Sequence, residues 1–209
     1  MNMKTLTTLC LSLLFAATTF AQTEPGTFSL LPKVGLNLSS LTKSKFEVDT
    51  RTGFCGGLEL NYQLNKSFSL TLGALYSLQG CKQTDKDHKT TVKIEYLNVP
   101  VLFNFHITNG LVAKVGVQPG LVLSDRIHQE RKGVSGDMCF RDYVRSLPEY
   151  KNTNMRDYDI AIPIGLSYEF SNIVLDARYC PGLVSLFDHW DLTNKNYTFQ
   201  FTVGYKFEL

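Results

Sequence analysis

The feature that most constrains this chain is its closing alternation. Tyr197, Phe199, Phe201, Val203, Tyr205, Phe207 and Leu209 stand at every odd position of 196–209, and Asn196, Thr198, Gln200, Thr202, Gly204, Lys206 and Glu208 at every even one. Successive side chains of a β-strand point to opposite faces, so the pattern describes a ribbon with one oily and one wet face, a division that a helix would smear. At roughly 3.4 Å per residue and a tilt near 45°, such a strand crosses a hydrocarbon layer about 25 Å thick. Strands of ordinary globular sheets are about half as long.

The same partition recurs seven times upstream, over 33–39, 54–64, 67–79, 97–107, 111–123, 158–170 and 173–183. Charge decides what the two faces meet. No Asp, Glu, Lys or Arg occupies the apolar phase, whereas Lys33, Glu59, Lys114, Asp159, Glu169, Asp176, Arg178, Lys206 and Glu208 all take the other. A charge on a lipid-facing wall costs about 2 to 4 kcal/mol at mid-bilayer, a sufficient cause for the sorting. We therefore expect an all-β chain, an eight-stranded antiparallel up-and-down transmembrane β-barrel, with its apolar face turned to lipid. The interior of eight strands is just wide enough for side chains to fill. Lys33, Glu59, Lys114, Asp176, Arg178 and Lys206 are expected as its polar core, and Glu59 with Arg178 as a mid-barrel pair.

The connections alternate in length. Asn65-Lys66, Thr108-Asn109-Gly110 and Ser171-Asn172 are tight turns, and the last sets Phe170 opposite Ile173. Longer connections are expected over 40–52, 80–91, 124–157 and 186–195. Short turns on one rim and long loops on the other match periplasmic and extracellular sides. Aromatic residues gather at both ends of the apolar faces, as rings suited to headgroup layers do. Pro100, Pro119, Pro163 and Pro181 fall inside strands, and because proline removes a ladder donor they predict bulges or kinks.

Residues 1–21 have the form of a cleaved secretory signal: Lys4, an apolar run from Leu9 to Ala17, and a small residue, Ala21, before Gln22. That leaves 22–209 as the barrel domain and takes the formal charge from +2 to +1, a balance that offers nothing to nucleic acid. Cys55, Cys81, Cys139 and Cys180 remain; an even count in an exported chain permits disulfides in three connectivities, or none. Their spacing fits no zinc motif, His88, His106, His128 and His189 lack metal-binding spacing, and nothing calls for a cofactor. Asp188-His189 near Ser185 is the one candidate acid/base set, and adjacent residues commonly point apart, so no enzyme activity is expected.

The 124–157 connection is where specific function has room. Its cations Arg126, Arg131, Lys132, Arg141 and Arg145 suit lipopolysaccharide phosphates or another anionic surface component. Cys139 between Met138 and Phe140 indicates that part of it packs down toward the barrel mouth.

Four stretches carry a resemblance: Tyr96-Leu97-Asn98-Val99-Pro100; Gly116-Val117-Gln118-Pro119-Gly120; Asp176-Ala177-Arg178-Tyr179 with Gly182-Leu183; and Gly204-Tyr205-Lys206-Phe207. They are similar to the small outer-membrane β-barrel domain of Bacteroidota, the porin-family or PorT-like barrels, and the likeness covers nearly all of 22–209. The family's strand-four motif carries an acidic residue where this chain has Asn98. The resemblance implies an outer-membrane location, export through a signal peptide, a secretion-accessory role beside an envelope protein partner, and recognition by the barrel-assembly machinery. The last would read Thr202, Gly204, Phe207 and Leu209, although many such signals close on an aromatic residue. Two readings stand beside a structural or binding barrel: a narrow porin-like channel for small solutes, and a secreted lipocalin-like barrel with its apolar face inward.

Overall fold

The computed structural model describes residues 24–42, 49–85, 88–131, 134–148, 153–188 and 195–209; the expected signal segment lies outside them. In chain order the elements are β1 (Phe28–Thr42), β2 (Asp49–Asn65), β3 (Phe68–Asp85), β4 (His88–Asn98), β5 (Val101–His106), β6 (Leu111–Arg131), β7 (Val134–Cys139), α1 (Phe140–Ser146), β8 (Tyr158–Ala161), β9 (Ile164–Phe170), β10 (Ile173–Ser185), β11 (Lys195–Tyr205) and β12 (Phe207–Glu208). Of the twelve strands, β5, β9 and β12 continue β4, β8 and β11 after short breaks, and β7 hangs outside the ring. Eight members remain, each antiparallel to its neighbours, and the last closes on the first through Val34 beside Val203 and Leu36 beside Phe201. At this seam the chains approach so closely that a Cβ on Gly35 would stand 2.0 Å from the Phe201 carbonyl oxygen.

The two phases separate as their chemistry requires. Leu36 and Phe201 are 53% and 50% exposed on the outer wall, whereas Glu59 and Arg178 are 1% and 2% exposed inside. This orientation overturns the lipocalin reading, in which Phe199 and Phe201 would fill the interior. The tight turns also follow the sequence. Asn65 accepts hydrogen bonds from the backbone N–H groups of Ser67 (2.8 Å) and Phe68 (3.0 Å). Gly110 takes φ +94°, Ser171 takes φ +52°, and Phe170 lies opposite Ile173.

The long connections are corrected. Strand runs to Thr42 and resumes at Asp49, runs to Asp85 and resumes at His88, and in β6 continues to Arg131. The segment expected as a loop over 124–157 contains the upper third of β6, the β6–β7 hairpin and α1. Above Leu121 the ring neighbour β8 ends, and β7 takes over that edge of β6. Roughly eleven residues suffice to cross a bilayer, so β6, with 21, stands far out of it.

Two of the four prolines, Pro119 and Pro181, face the gaps made by the other two. Breaks occur at Val99-Pro100 and Ile162-Pro163, and a register shift follows Pro181. Pro119 is the exception to the expected kinks, lying within continuous β6. In an antiparallel strand the N–H and C=O of one residue face the same neighbour. The Pro119 carbonyl accepts from Val99 and the Pro181 carbonyl from Ile162, so each missing donor faces a break where no ladder bond is demanded.

Candidate functional site

The lumen is filled in layers, each supplied by inward positions of the alternation. At mid-height Arg178 (β10) donates through Nη1 to Glu59 Oε1 at 2.6 Å and through Nη2 to Glu59 Oε2 at 2.9 Å. The same guanidinium donates through Nη2 to Asp176 Oδ2 at 2.8 Å, and its Nε lies 2.7 Å from Oδ1 as an ion pair. Lys33 (β1) lies 3.2 Å from Glu59 and 3.5 Å from Asp176, and Lys114 (β6) lies 2.7 Å from Asp176. Three cations thus interlock with two carboxylates, all nearly fully buried. Burial of unpaired ions would be prohibitive, and this geometry gives each charge an opposite at hydrogen-bond distance. Four strands meet in these contacts, so the lattice ties opposite walls together.

Lys206 is separate from that lattice. It stands nearer the short-turn rim and reaches Glu169 at 2.7 Å. Asp159, also expected inside, accepts from the Ile160 backbone N–H at 2.8 Å, and Glu208 is exposed at the rim, so neither joins the mid-lumen lattice.

Below the ions, Asn104 donates to Asn61 (3.0 Å), Ser69 (3.0 Å) and Thr71 (2.8 Å), and His106 Nε2 lies 3.0 Å from Ser69 Oγ. A cavity of about 40 Å³ bordered by Ser29, Asn104, His106, Lys114 and Lys206 remains there. It has room for about two or three waters, and the Ser69–His106 contact is one of the polar links beside it. Above the ions, Asn37 bonds Ser77 (2.7 Å), Gln200 bonds Asn37 (3.2 Å), Thr198 bonds Gln79 (3.1 Å), and Asn196 also reaches Gln79.

The outer mouth is closed by an apolar cluster outside the expected polar core. Leu41, Cys81, Val92, Ile94, Tyr96 and Ile127 from the strands meet Phe140 and Val144 of α1, with Met155, Leu186 and Phe187. Phe140 meets Phe187 edge-on at 5.6 Å between ring centroids. Two of the loop cations serve this cap. Arg141 lies 2.5 Å from Asp157 and 3.9 Å from Asp125, and Arg145 donates to Asn154 at 2.6 Å. Asp125 also accepts from the Arg141 backbone N–H (2.9 Å) and the Cys139 thiol (3.3 Å). Arg126 instead faces outward and is exposed, Arg131 ends β6, and Lys132 lies outside the described residues.

A sequence signal for the cap exists. Across 91–96 the alternation persists with its polarity reversed: Val92, Ile94 and Tyr96 inward, Lys93 and Glu95 outward. Opposite it, an extra residue in β6 between Val122 and Ser124 switches the phase and turns Ile127 inward. Once the strands leave the bilayer, water is outside, and apolar side chains move in.

Cys55, Cys81 and Cys180 are buried, Cys139 is half-buried, and all four are free thiols. His128 Nδ1 lies 2.7 Å from Asp137, and His189 lies outside the described residues.

The geometry agrees with what comparison finds. A family model described as outer membrane protein beta-barrel domain matches residues 20–188. Among solved structures, the attachment invasion locus protein Ail of Yersinia pestis is 18% identical, covering 88% of this chain and 99% of its own, with a TM-score of 0.51. Ail of the same organism in complex with the heparin analogue sucrose octasulfate is similar at 16% identity, with 87% and 99% covered and a TM-score of 0.52. Neisserial surface protein A is 14% identical over 86% of this chain and 97% of its own, with a TM-score of 0.50. No curated protein matches the sequence.

Proposed function

Because the chain belongs to the outer membrane protein β-barrel domain family and sits in the outer membrane, we propose that it is a sealed barrel acting as a structural and binding element of the cell surface, not as a solute channel. One observation carries this reading: the lumen is obstructed twice, by the Lys33–Glu59–Asp176–Arg178–Lys114 lattice and by the apolar cluster beneath α1. A conducting path would require both to part, and the lattice alone joins four strands. What is left to meet partners is the extension above the bilayer, chiefly the β3–β4 and β6–β7 hairpins and α1. The likeness to PorT-like barrels of Bacteroidota supports an accessory role beside an envelope secretion protein. It also supports cleavage after Ala21 and recognition of the closing strand by the barrel-assembly machinery, with Thr202 and Gly204 facing inward and Phe207 and Leu209 outward.

Planar-bilayer recording of the purified protein tests the sealed lumen: silence is expected, and a steady open state of appreciable conductance overturns it in favour of a narrow channel. Proximity cross-linking in the native envelope, with and without residues 134–148, tests the accessory role. A partner captured only by the full chain supports it, and identical capture patterns remove the extension from consideration.

A further inference from the structure

We propose that the outward face of the β4–β6 pair, at Lys93 and Arg126, is a seat for the phosphate groups of an outer-leaflet glycolipid. The inference requires only the outer-membrane location and holds whether or not the extension also carries a protein partner.

Lys93 and Arg126 lie directly opposite one another in register, both exposed. Like charges facing across a strand pair destabilise it, so such a pair is explained by something anionic placed between them. The neighbours do not supply enough. Among the described residues neither side chain makes an ion pair. Glu95, on the same face toward the membrane, takes a hydrogen bond from Tyr76 and offers one negative charge against the two cations. The other charged groups of this face have partners: Lys82 stands opposite Asp49, and Asp137 lies 2.7 Å from His128 Nδ1. On the remaining flank, the residue beside Lys93 is Gly80, which has no side chain to occupy the space.

Height identifies the anion. The outward apolar wall ends at Leu78 on β3, Leu97 on β4 and Leu123 on β6. Lys93 is four residues beyond Leu97 and Arg126 three beyond Leu123, which in a tilted strand puts both about 7 to 10 Å above the hydrocarbon edge. That is the level of the headgroup layer, and on the long-loop side this layer belongs to the outer leaflet. A guanidinium and an ammonium at that depth, turned toward the lipid and not toward the lumen, complement a phosphorylated sugar anchored in the leaflet.

The test is native mass spectrometry of the full-length protein in detergent, titrated with bis-phosphorylated lipid A, with fully dephosphorylated lipid A, and with sucrose octasulfate as a soluble polyanion. The wild type should retain the phosphorylated lipid and release the dephosphorylated one. Lys93→Gln/Arg126→Gln should bind the phosphorylated lipid roughly 30-fold more weakly, two basic residues at about 1 kcal/mol each. Arg126→Lys should stay within about threefold of wild type, and Lys66→Gln, in a turn on the opposite rim, should be unchanged. Folding of every variant is checked by its gel shift on heating, and since both side chains are exposed all should fold. Equal retention by the double variant, or indifference to the phosphates, overturns the proposal. Binding of the soluble polyanion as tight as that of lipid A overturns the assignment to a membrane lipid. None of these results bears on conductance or on protein cross-links, so this site and the sealed-barrel reading fail separately.

Discussion

Glu59 is the position at which the lumen's electrostatics can be tested most sharply. Its carboxylate takes Arg178 at 2.6 and 2.9 Å and Lys33 at 3.2 Å, so Glu59→Gln keeps the volume but removes one of two anions holding three cations. The local excess of positive charge rises from one to two in a region excluded from water. Removing one partner of a buried ion pair costs about 3 to 5 kcal/mol, about a fifth or more of an ordinary domain's stability of roughly 5 to 15 kcal/mol. Adding Lys33→Met returns the excess to one and replaces an ammonium by an apolar stem of similar length. The double variant should therefore recover about half of the loss, a coupling of at least 1 kcal/mol. The assay is urea unfolding in lipid vesicles, read from the gel mobility difference between folded and unfolded barrel. A cost below about 1 kcal/mol for Glu59→Gln, or additivity of the two changes to within about 0.5 kcal/mol, refutes the argument that these charges act as one lattice.

Three further outcomes are expected. Phe140→Ala removes the ring packed on Phe187 and should cost the cap about 3 to 5 kcal/mol; limited proteolysis should then cut within 134–157 while bilayer recordings stay silent, because the ionic lattice below is intact. Burial, followed by the hydrogen bond to the Asp125 carboxylate, pushes the Cys139 thiol up, so less thiolate is present at any given alkaline pH and alkylation should be slow; Asp125→Asn should move the pH profile of labelling to lower pH, and an unmoved profile contradicts the assignment. Gly35→Ala places a methyl where the Phe201 carbonyl oxygen would be 2.0 Å away, so the β1–β11 seam should close poorly and the heat-shifted folded band should fall well below wild type, whereas assembly at wild-type yield would show that the seam has slack.

Much of the barrel is written locally. Alternation with charge excluded from one phase gives strand, count, neighbour order and orientation, because a two-residue period and the cost of charge in hydrocarbon leave one arrangement of the wall. The turn at Ser171-Asn172 even fixes Phe170 against Ile173. Legibility fails where the solvent changes. Past Leu97 and Leu123 the strands continue with inverted polarity, and a rule tuned to lipid outside reads Val92, Ile94 and Ile127 as loop. Pro119 reads as a kink because its missing donor is visible in sequence, whereas its placement across from the break at Val99-Pro100 is not.

The sequence by itself determined which side chains enter the lumen, since inward and outward are a matter of parity along each strand. Only the tertiary structure decided the rest of their company. Glu59 against Arg178 is expected from sequence, but that Asp176, Lys33 and Lys114 join this pair depends on the tilt and stagger of closure, which set the height of each strand against its neighbours around the ring. The same closure parts Lys206 from the central ions, gives Arg141 and Arg145 to the cap, and leaves Lys93 and Arg126 facing each other above the membrane.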